Sequence, residues 1–305
     1  MLSLALAAAL IAAPVSTPVE LPSQPAPIKG RLLTPEGQTR ATAILIAGSG
    51  PTDRDGNSPI GVAGGVYKQL AEGLAERGIA TVRYDKRGIA ASAAAGLDES
   101  ALTFDSFIDD AKSWVRQTTY QQGVDCVWLI GHSEGALIAQ AAGEDNPQVC
   151  GLVLLSPAGV TANVEIRRQL SSLPPAAQDL IDPVMKELEA GRTVADIHPG
   201  LAALFRPSLQ PYLISYFVVD PQALIRSYDR PVMLGHGSTD IQVTPDNTDL
   251  LATAQPRAHK VVFEGLNHVL KPAPMDRASN LATYVDAELK IGDEVAKEVA
   301  DFILR

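Results

Sequence analysis

The sequence has no excess of positive charge, no low-complexity tract, no internal repeat, and little cysteine or histidine. Its 25 Lys and Arg stand against 35 Asp and Glu in 305 residues, a formal net charge of −10. Such a chain lacks the electrostatic footprint of a nucleic-acid binder, and nothing marks an anionic membrane as a partner; the carboxylates serve solubility. Without a low-complexity tract there is no sign of disorder, and the length suits one large α/β domain or two small ones. Long apolar runs are scarce as well. The one that stands out, residues 2–13, is too short to span a bilayer comfortably but fits the apolar region of a secretory signal peptide. No Lys or Arg precedes it. No cysteine follows it, which excludes a lipoprotein anchor. The expectation is a signal peptide over 1–16, cut near Ala13 or Ser16, and a periplasmic or secreted product with no stable membrane insertion once the signal is removed.

Prolines 14, 18, 22, 25 and 27 then forbid helix, so 17–27 reads as an extended spacer with the folded domain starting near Ile28. A short lead-in hairpin is expected around 29–37. From residue 41 onward, apolar strand-like runs (41–47, 79–84, 126–130, 149–155) alternate with helical spacing (67–77, 104–118, 135–142). Strands apolar along their whole length and separated by helices imply a parallel sheet covered on both faces. The alternation breaks over 161–228, where helical pieces and scattered prolines read as an inserted helical cap. It resumes with a strand at 231–234, a helix near 245–254, a strand at 260–263 and a closing helix from about 293 to 304. The expected core is therefore 28–160 plus 229–305. Cys126 and Cys150 each open a buried strand. A bridge between adjacent parallel strands is geometrically awkward, which favours two buried thiols acting as small hydrophobes.

The chemistry centres on Gly131-His132-Ser133-Glu134-Gly135. As a bare string G-x-S-x-G is weak, but here it lies between a buried strand and a helix of small residues. A sharp strand-to-helix turn in that place exposes a serine hydroxyl at the carboxyl edge of the sheet, and the flanking glycines remove side chains that would clash. A serine needs a base to take its proton. Asp240, in Gly237-Ser238-Thr239-Asp240, and His268, in Gly265-Leu266-Asn267-His268, follow later strands at the same edge, in the order acid then histidine. Five histidines leave few rivals. His132 sits inside the turn and should point away from Ser133; His198 is in the cap; His236 falls early; His259 begins a strand at the wrong edge. Asp246 competes with Asp240 but falls on a predicted helix. An oxyanion hole needs backbone N–H groups. Glu134 supplies one, and the loop after the 41–47 strand supplies the other, Ser49 before Gly50. Arg54, between Asp53 and Asp55, reads as a loop brace, as does the cluster 84–88.

Five motifs in this order, GSGPTDRDGN (48–57), YDKRG (84–88), GHSEG (131–135), GSTDIQV (237–243) and GLNH (265–268), resemble the α/β-hydrolase superfamily. The resemblance is to bacterial exported hydrolases of the dienelactone-hydrolase-like or serine-aminopeptidase-like kind. It implies an eight-stranded, mostly parallel sheet with the cap after the sixth strand, and makes the Cys126 and Cys150 strands neighbours. Ala47 stands where many members carry histidine, which loosens the assignment of Ser49.

The expectation is a serine esterase needing neither metal nor cofactor, acting on a small or medium acyl ester through an acyl-enzyme on Ser133. Leu204, Phe205, Tyr212, Tyr216 and Phe217 of the cap would line an apolar pocket or simply pack cap on core. An aminopeptidase would need an acidic group for the substrate amine, with Glu134 and Glu165 as candidates. A thioesterase, or a non-catalytic binding protein of the same fold, are the other readings.

Overall fold

The computed structural model describes residues 13–305. The apolar run on which the signal-peptide reading rests, up to residue 12, lies outside the described residues. Eight strands form one sheet: β1 (Val15–Leu21), β2 (Ile28–Thr34), β3 (Ala41–Ile46), β4 (Ile79–Tyr84), β5 (Val127–His132), β6 (Val149–Leu155), β7 (Val232–Gly237) and β8 (His259–Phe263). Their spatial order is β1-β2-β4-β3-β5-β6-β7-β8. The β1–β2 and β2–β4 pairs are antiparallel and every later pair is parallel.

The central strands are short runs of aliphatic residues because both of their faces are covered. Along β3, Ile44 and Ile46 join one core cluster while Ala43 and Leu45 join the other. This period of two is what a pleated strand imposes. The first cluster is closed by α2 (Phe104–Gln122) and α3 (Glu134–Gly143), the second by α1 (Val66–Ala75) and α11 (Asp293–Ile303). Helix α2 begins at a reciprocal Thr103–Ser106 capping box and ends at Gly123, whose φ of 62° suits glycine.

Between β6 and β7 the chain forms α4 (Ala162–Leu170), α5 (Pro175–Glu189), α6 (Ala202–Phe205), α7 (Gln210–Phe217) and α8 (Pro221–Ser227). These helices hold an apolar cluster of their own around Ile181, Met185, Phe205 and Phe217. Phe205 and Phe217 thus pack the interior of the helical insertion rather than line a pocket, and Leu204 is largely exposed. Helices α9 (Asp246–Ala254) and α10 (Arg277–Val285) complete the set.

Two expectations are corrected. The segment 17–27 is not a spacer outside the fold: β1 starts at Val15 and pairs with β2 from Val15↔Thr34 to Leu21↔Ile28. Pro18 is tolerated because β1 is an edge strand, with one rim free of ladder bonds. The cysteines are not free thiols either. Cys126 and Cys150 form a disulfide with Cα atoms 5.2 Å apart. The ladder pairs Val127 with Val149 but Trp128 with Gly151, so Cys150 is the extra residue of a bulge. The bulge breaks the pleat that made the bridge look awkward.

Candidate active site

Ser133 occupies the turn between β5 and α3 with φ 54° and ψ −122°, a conformation that an L-residue keeps only when its surroundings impose it. Two close approaches impose it. A Cβ on Gly131 would stand 2.2 Å from the Gly135 carbonyl oxygen, and one on Gly135 would stand 2.3 Å from that of Ile46. Only glycine at both ends lets α3 start so tightly against β3 and β5. The Ser133 hydroxyl is left half-buried at the carboxyl edge of the sheet.

Asp240 and His268 meet at that edge. His268 Nδ1 lies 2.8 Å from Asp240 Oδ2, and both side chains are buried. The amides of Gln242 and Val243 donate to Asp240 Oδ1, each at 2.9 Å. Burial is the largest influence on the Asp240 carboxyl and pushes its pKa up. The Coulomb attraction and hydrogen bond of His268, with His236 and the Val243 amide, outweigh it, and the net shift is downward. An ionised carboxylate only accepts, so Nδ1 of His268 is the donor in this bond. Among the described residues Ser133 makes no side-chain hydrogen bond to that ring; such bonds commonly tighten only around substrate.

A relay that sequence reasoning missed ties three loops together. Gly48 N–H donates to Tyr67 Oη at 3.0 Å, and that hydroxyl donates to His132 Nδ1 at 2.9 Å. His132 Nε2–H then donates to the His268 backbone carbonyl at 2.7 Å. The carbonyl can only accept, which fixes the direction of every step. Burial, with the nearby His268 adding to it, pushes the His132 pKa down to about 3. His132 is therefore a neutral strut between the loop after β3 and the loop after β8. A Cβ on Gly48 would meet both His132 Nδ1 and Ser133 Cβ at 3.3 Å, so this loop lies directly against the Ser133 turn. The amides of Ser49 and Glu134 have no protein acceptor among the described residues.

The charged residues around the site are paired. Lys86 Nζ, buried, donates to Glu134 Oε1 at 2.7 Å and to the Gly48 carbonyl at 2.6 Å. Tyr212, from α7, donates to the other oxygen, Glu134 Oε2. Arg54 pairs with Asp85 rather than with its sequence neighbours. Asp53 instead accepts from the Asp55 and Asn57 amides of its own loop, and Asp55 pairs with Arg83. Glu165 is held by Arg168, which also reaches the Gln242 carbonyl in the Asp240 loop. Of the remaining histidines, His198 and His259 are engaged elsewhere. His198 accepts from Gly200 N–H in the insertion, and His259 stacks on Phe302. His236 bonds Thr248 and stands 3.7 Å from Asp240 Oδ2, and burial holds its pKa down. Asp246 opens α9, where Thr244 bonds it.

Helix α10, absent from the sequence reading, braces the two loops that carry Asp240 and His268. Asn280 donates to the Thr239 carbonyl, and Asn267 donates to Thr283. Lys271, wholly buried, spends its ammonium on the carbonyls of Ala63, Thr283 and Asp286 at 2.6–3.0 Å. Polar residues that bond backbone across 12–208 positions leave no local signature by which to find them.

Sheet order, insertion point and the strained serine turn together define an α/β-hydrolase. Residues 60–266 match the serine aminopeptidase S33 family, and the chain belongs to it. Among curated proteins it is similar to esterase EstD of Thermotoga maritima, 26% identical over 249 residues, 80% of this chain. The chain spans 58% of that relative's length. Among solved structures it resembles Est1E from Butyrivibrio proteoclasticus with ferulic acid bound, at TM-score 0.63 and 18% identity. That alignment covers 94% of this chain and all of the other. It also resembles the acylaminoacyl peptidase of Pyrococcus horikoshii at TM-score 0.61 and 12% identity, over 97% of this chain and 42% of that one. At such identities the structural likenesses speak for the fold.

Proposed function

We propose that this protein is a serine carboxylesterase acting on small or medium acyl esters. The observation that carries the reading is the buried Asp240–His268 pair, 2.8 Å long, at the sheet edge where Ser133 is held at φ 54°. His268 Nε2 takes the Ser133 proton as Oγ attacks the ester carbonyl. The resulting alkoxide is held by the free amides of Ser49 and Glu134. The tetrahedral intermediate collapses, the C–O bond to the alcohol breaks, and the imidazolium returns its proton to the leaving alkoxide. Water, deprotonated by the same imidazole, then attacks the acyl-enzyme and releases the acid. Asp240 holds the tautomer and stabilises the imidazolium.

The esterase reading is preferred to aminopeptidase because both acidic candidates for an amine site are already neutralised, Glu134 by Lys86 and Glu165 by Arg168. Similarity to an esterase, EstD, supports the same choice. Residues 161–228 are read as a cap over the catalytic edge, with Tyr212 reaching from it to Glu134. Export to the periplasm or medium is part of the proposal; the Cys126–Cys150 disulfide, which belongs to an oxidising compartment, supports it together with the apolar run at 2–13.

The test is a panel of p-nitrophenyl esters and aminoacyl p-nitroanilides, with a fluorophosphonate probe. Wild type is expected to hydrolyse the acetate and butyrate esters and to label at Ser133. Ser133→Ala is expected to lose at least about 10⁴-fold in kcat. Turnover of aminoacyl anilides alone would transfer the assignment to peptidase, and a wild type inert to every substrate and to the probe would end the enzyme reading.

A further inference from the structure

Lys86 is placed to do more than neutralise Glu134. Its ammonium lies within hydrogen-bond reach of two oxygens, the Gly48 carbonyl at 2.6 Å and Glu134 Oε1 at 2.7 Å. The Phe107 ring lies 5.6 Å from it. The whole side chain is buried, so no water competes for these contacts. The two oxygens belong to the two segments that carry the free amides of the proposed oxyanion hole. The Gly48 carbonyl shares a peptide unit with the Ser49 N–H, and Glu134 carries the second N–H.

In a planar trans peptide the C=O and N–H point in opposite directions. The Gly48–Ser49 bond is trans, since among the described residues only Gln24–Pro25 is cis. An ammonium anchored on the Gly48 oxygen therefore turns the Ser49 N–H to the far side of the unit. It also withdraws electron density through the amide and makes that N–H a stronger donor. The preceding peptide unit is pinned as well, because the Gly48 N–H donates to Tyr67. Consecutive planes are thus fixed by buried groups from α1 and from the end of β4.

We propose that Lys86 is a positioning residue for the oxyanion hole: it orients and polarises the Gly48–Ser49 peptide through the Gly48 carbonyl, and registers that loop against Glu134 by the ion pair. This rests on the esterase reading above. It predicts a loss confined to the chemical step, because the ammonium acts on a donor used most strongly as the alkoxide forms.

The experiment compares wild type, Lys86→Met, Glu134→Gln and the double variant Lys86→Met/Glu134→Gln. The double variant removes both charges, so it folds without a stranded buried carboxylate if the single lysine variant does not. Folding is checked by near-UV circular dichroism. Kinetics are measured on p-nitrophenyl acetate and on its thionoacetate analogue, whose sulfur is a poor acceptor for oxyanion donors. The expected result for the double variant is a fall in kcat of about 10–100-fold, somewhat less than loss of a whole oxyanion donor, with KM nearly unchanged. The oxygen-to-sulfur ratio of kcat/KM should shrink with it. A double variant with wild-type kcat and ratio would overturn the inference and assign Lys86 to charge neutralisation alone. An equal loss on both substrates would also overturn it, as general disorder of the site. A wild type inactive on the ester would instead defeat the esterase reading, and the inference with it.

Discussion

His132 is a buried imidazole that must stay neutral, and this makes stability depend on pH in a defined window. Its folded-state pKa is pushed down to about 3 by burial and by His268. An unfolded histidine titrates near 6.5. Between those values the unfolded chain binds a proton that the folded chain refuses, so the native state loses stability as pH falls through about 6.5 and goes on losing it down to about 3. pH 5 lies about 1.5 units below the unfolded imidazole's pKa, which amounts to about 2 kcal/mol relative to pH 7.5. The clean comparison is wild type against His132→Gln. Glutamine does not titrate and can still offer an N–H toward the His268 carbonyl. Urea unfolding at pH 7.5, 6.5, 5.5 and 5.0 gives the difference in unfolding free energy at each pH. The variant is expected to be less stable at pH 7.5, where it loses the Tyr67 contact, but the gap should close by about 2 kcal/mol at pH 5. Other titrating groups, His236 included, are common to both proteins and cancel. Curves that stay parallel from pH 7.5 to 5 would refute the buried, neutral strut, and with it the directions assigned to the Gly48–Tyr67–His132–His268 relay.

Two further outcomes test the scaffold. Replacing both cysteines by serine removes a cross-link spanning 24 positions and is expected to cost about 3 kcal/mol in unfolding free energy while leaving ester kcat within twofold. A matching loss of activity at 25 °C would show that the bridge acts on the catalytic edge. Lys271→Met strands the carbonyls of Ala63, Thr283 and Asp286 and should cost roughly 3 kcal/mol in urea unfolding. A loss below about 1 kcal/mol would mean that water replaces the ammonium there.

What could be read from the sequence was what is local. The serine turn is legible because its glycines, the aliphatic β5 and the small-residue α3 are contiguous. Asp240 and His268 are legible because chain order and strand ends restrict where an acid and a histidine can sit. The relay was not, because Tyr67 and His132 are 65 positions apart and a tyrosine on the buried face of α1 looks like core. His132, expected to point away from Ser133, was given no partner there; it packs beside the His268 ring, centroids 4.9 Å apart, and carries the strut. The loop aspartates flank Arg54 in sequence, yet Asp53 is occupied by its own turn and Asp85 arrives from the neighbouring strand end. The bulge that admits the disulfide depends on register between strands, which no single segment encodes. Strand β1 was hidden by Pro18 and the prolines that flank it, since the cost of a strand proline depends on whether the strand is central or at a rim.

That rim position has a consequence for assembly. The sheet ends in β1 on one side and β8 on the other, and an open rim of peptide groups is a template on which a second chain can add strands. One rim is interrupted by Pro18 and the other carries Lys260, tied to Asp249. Both devices resist strand addition. If copies of this chain associate, the contact would therefore be made through helical faces, leaving each sheet at eight strands.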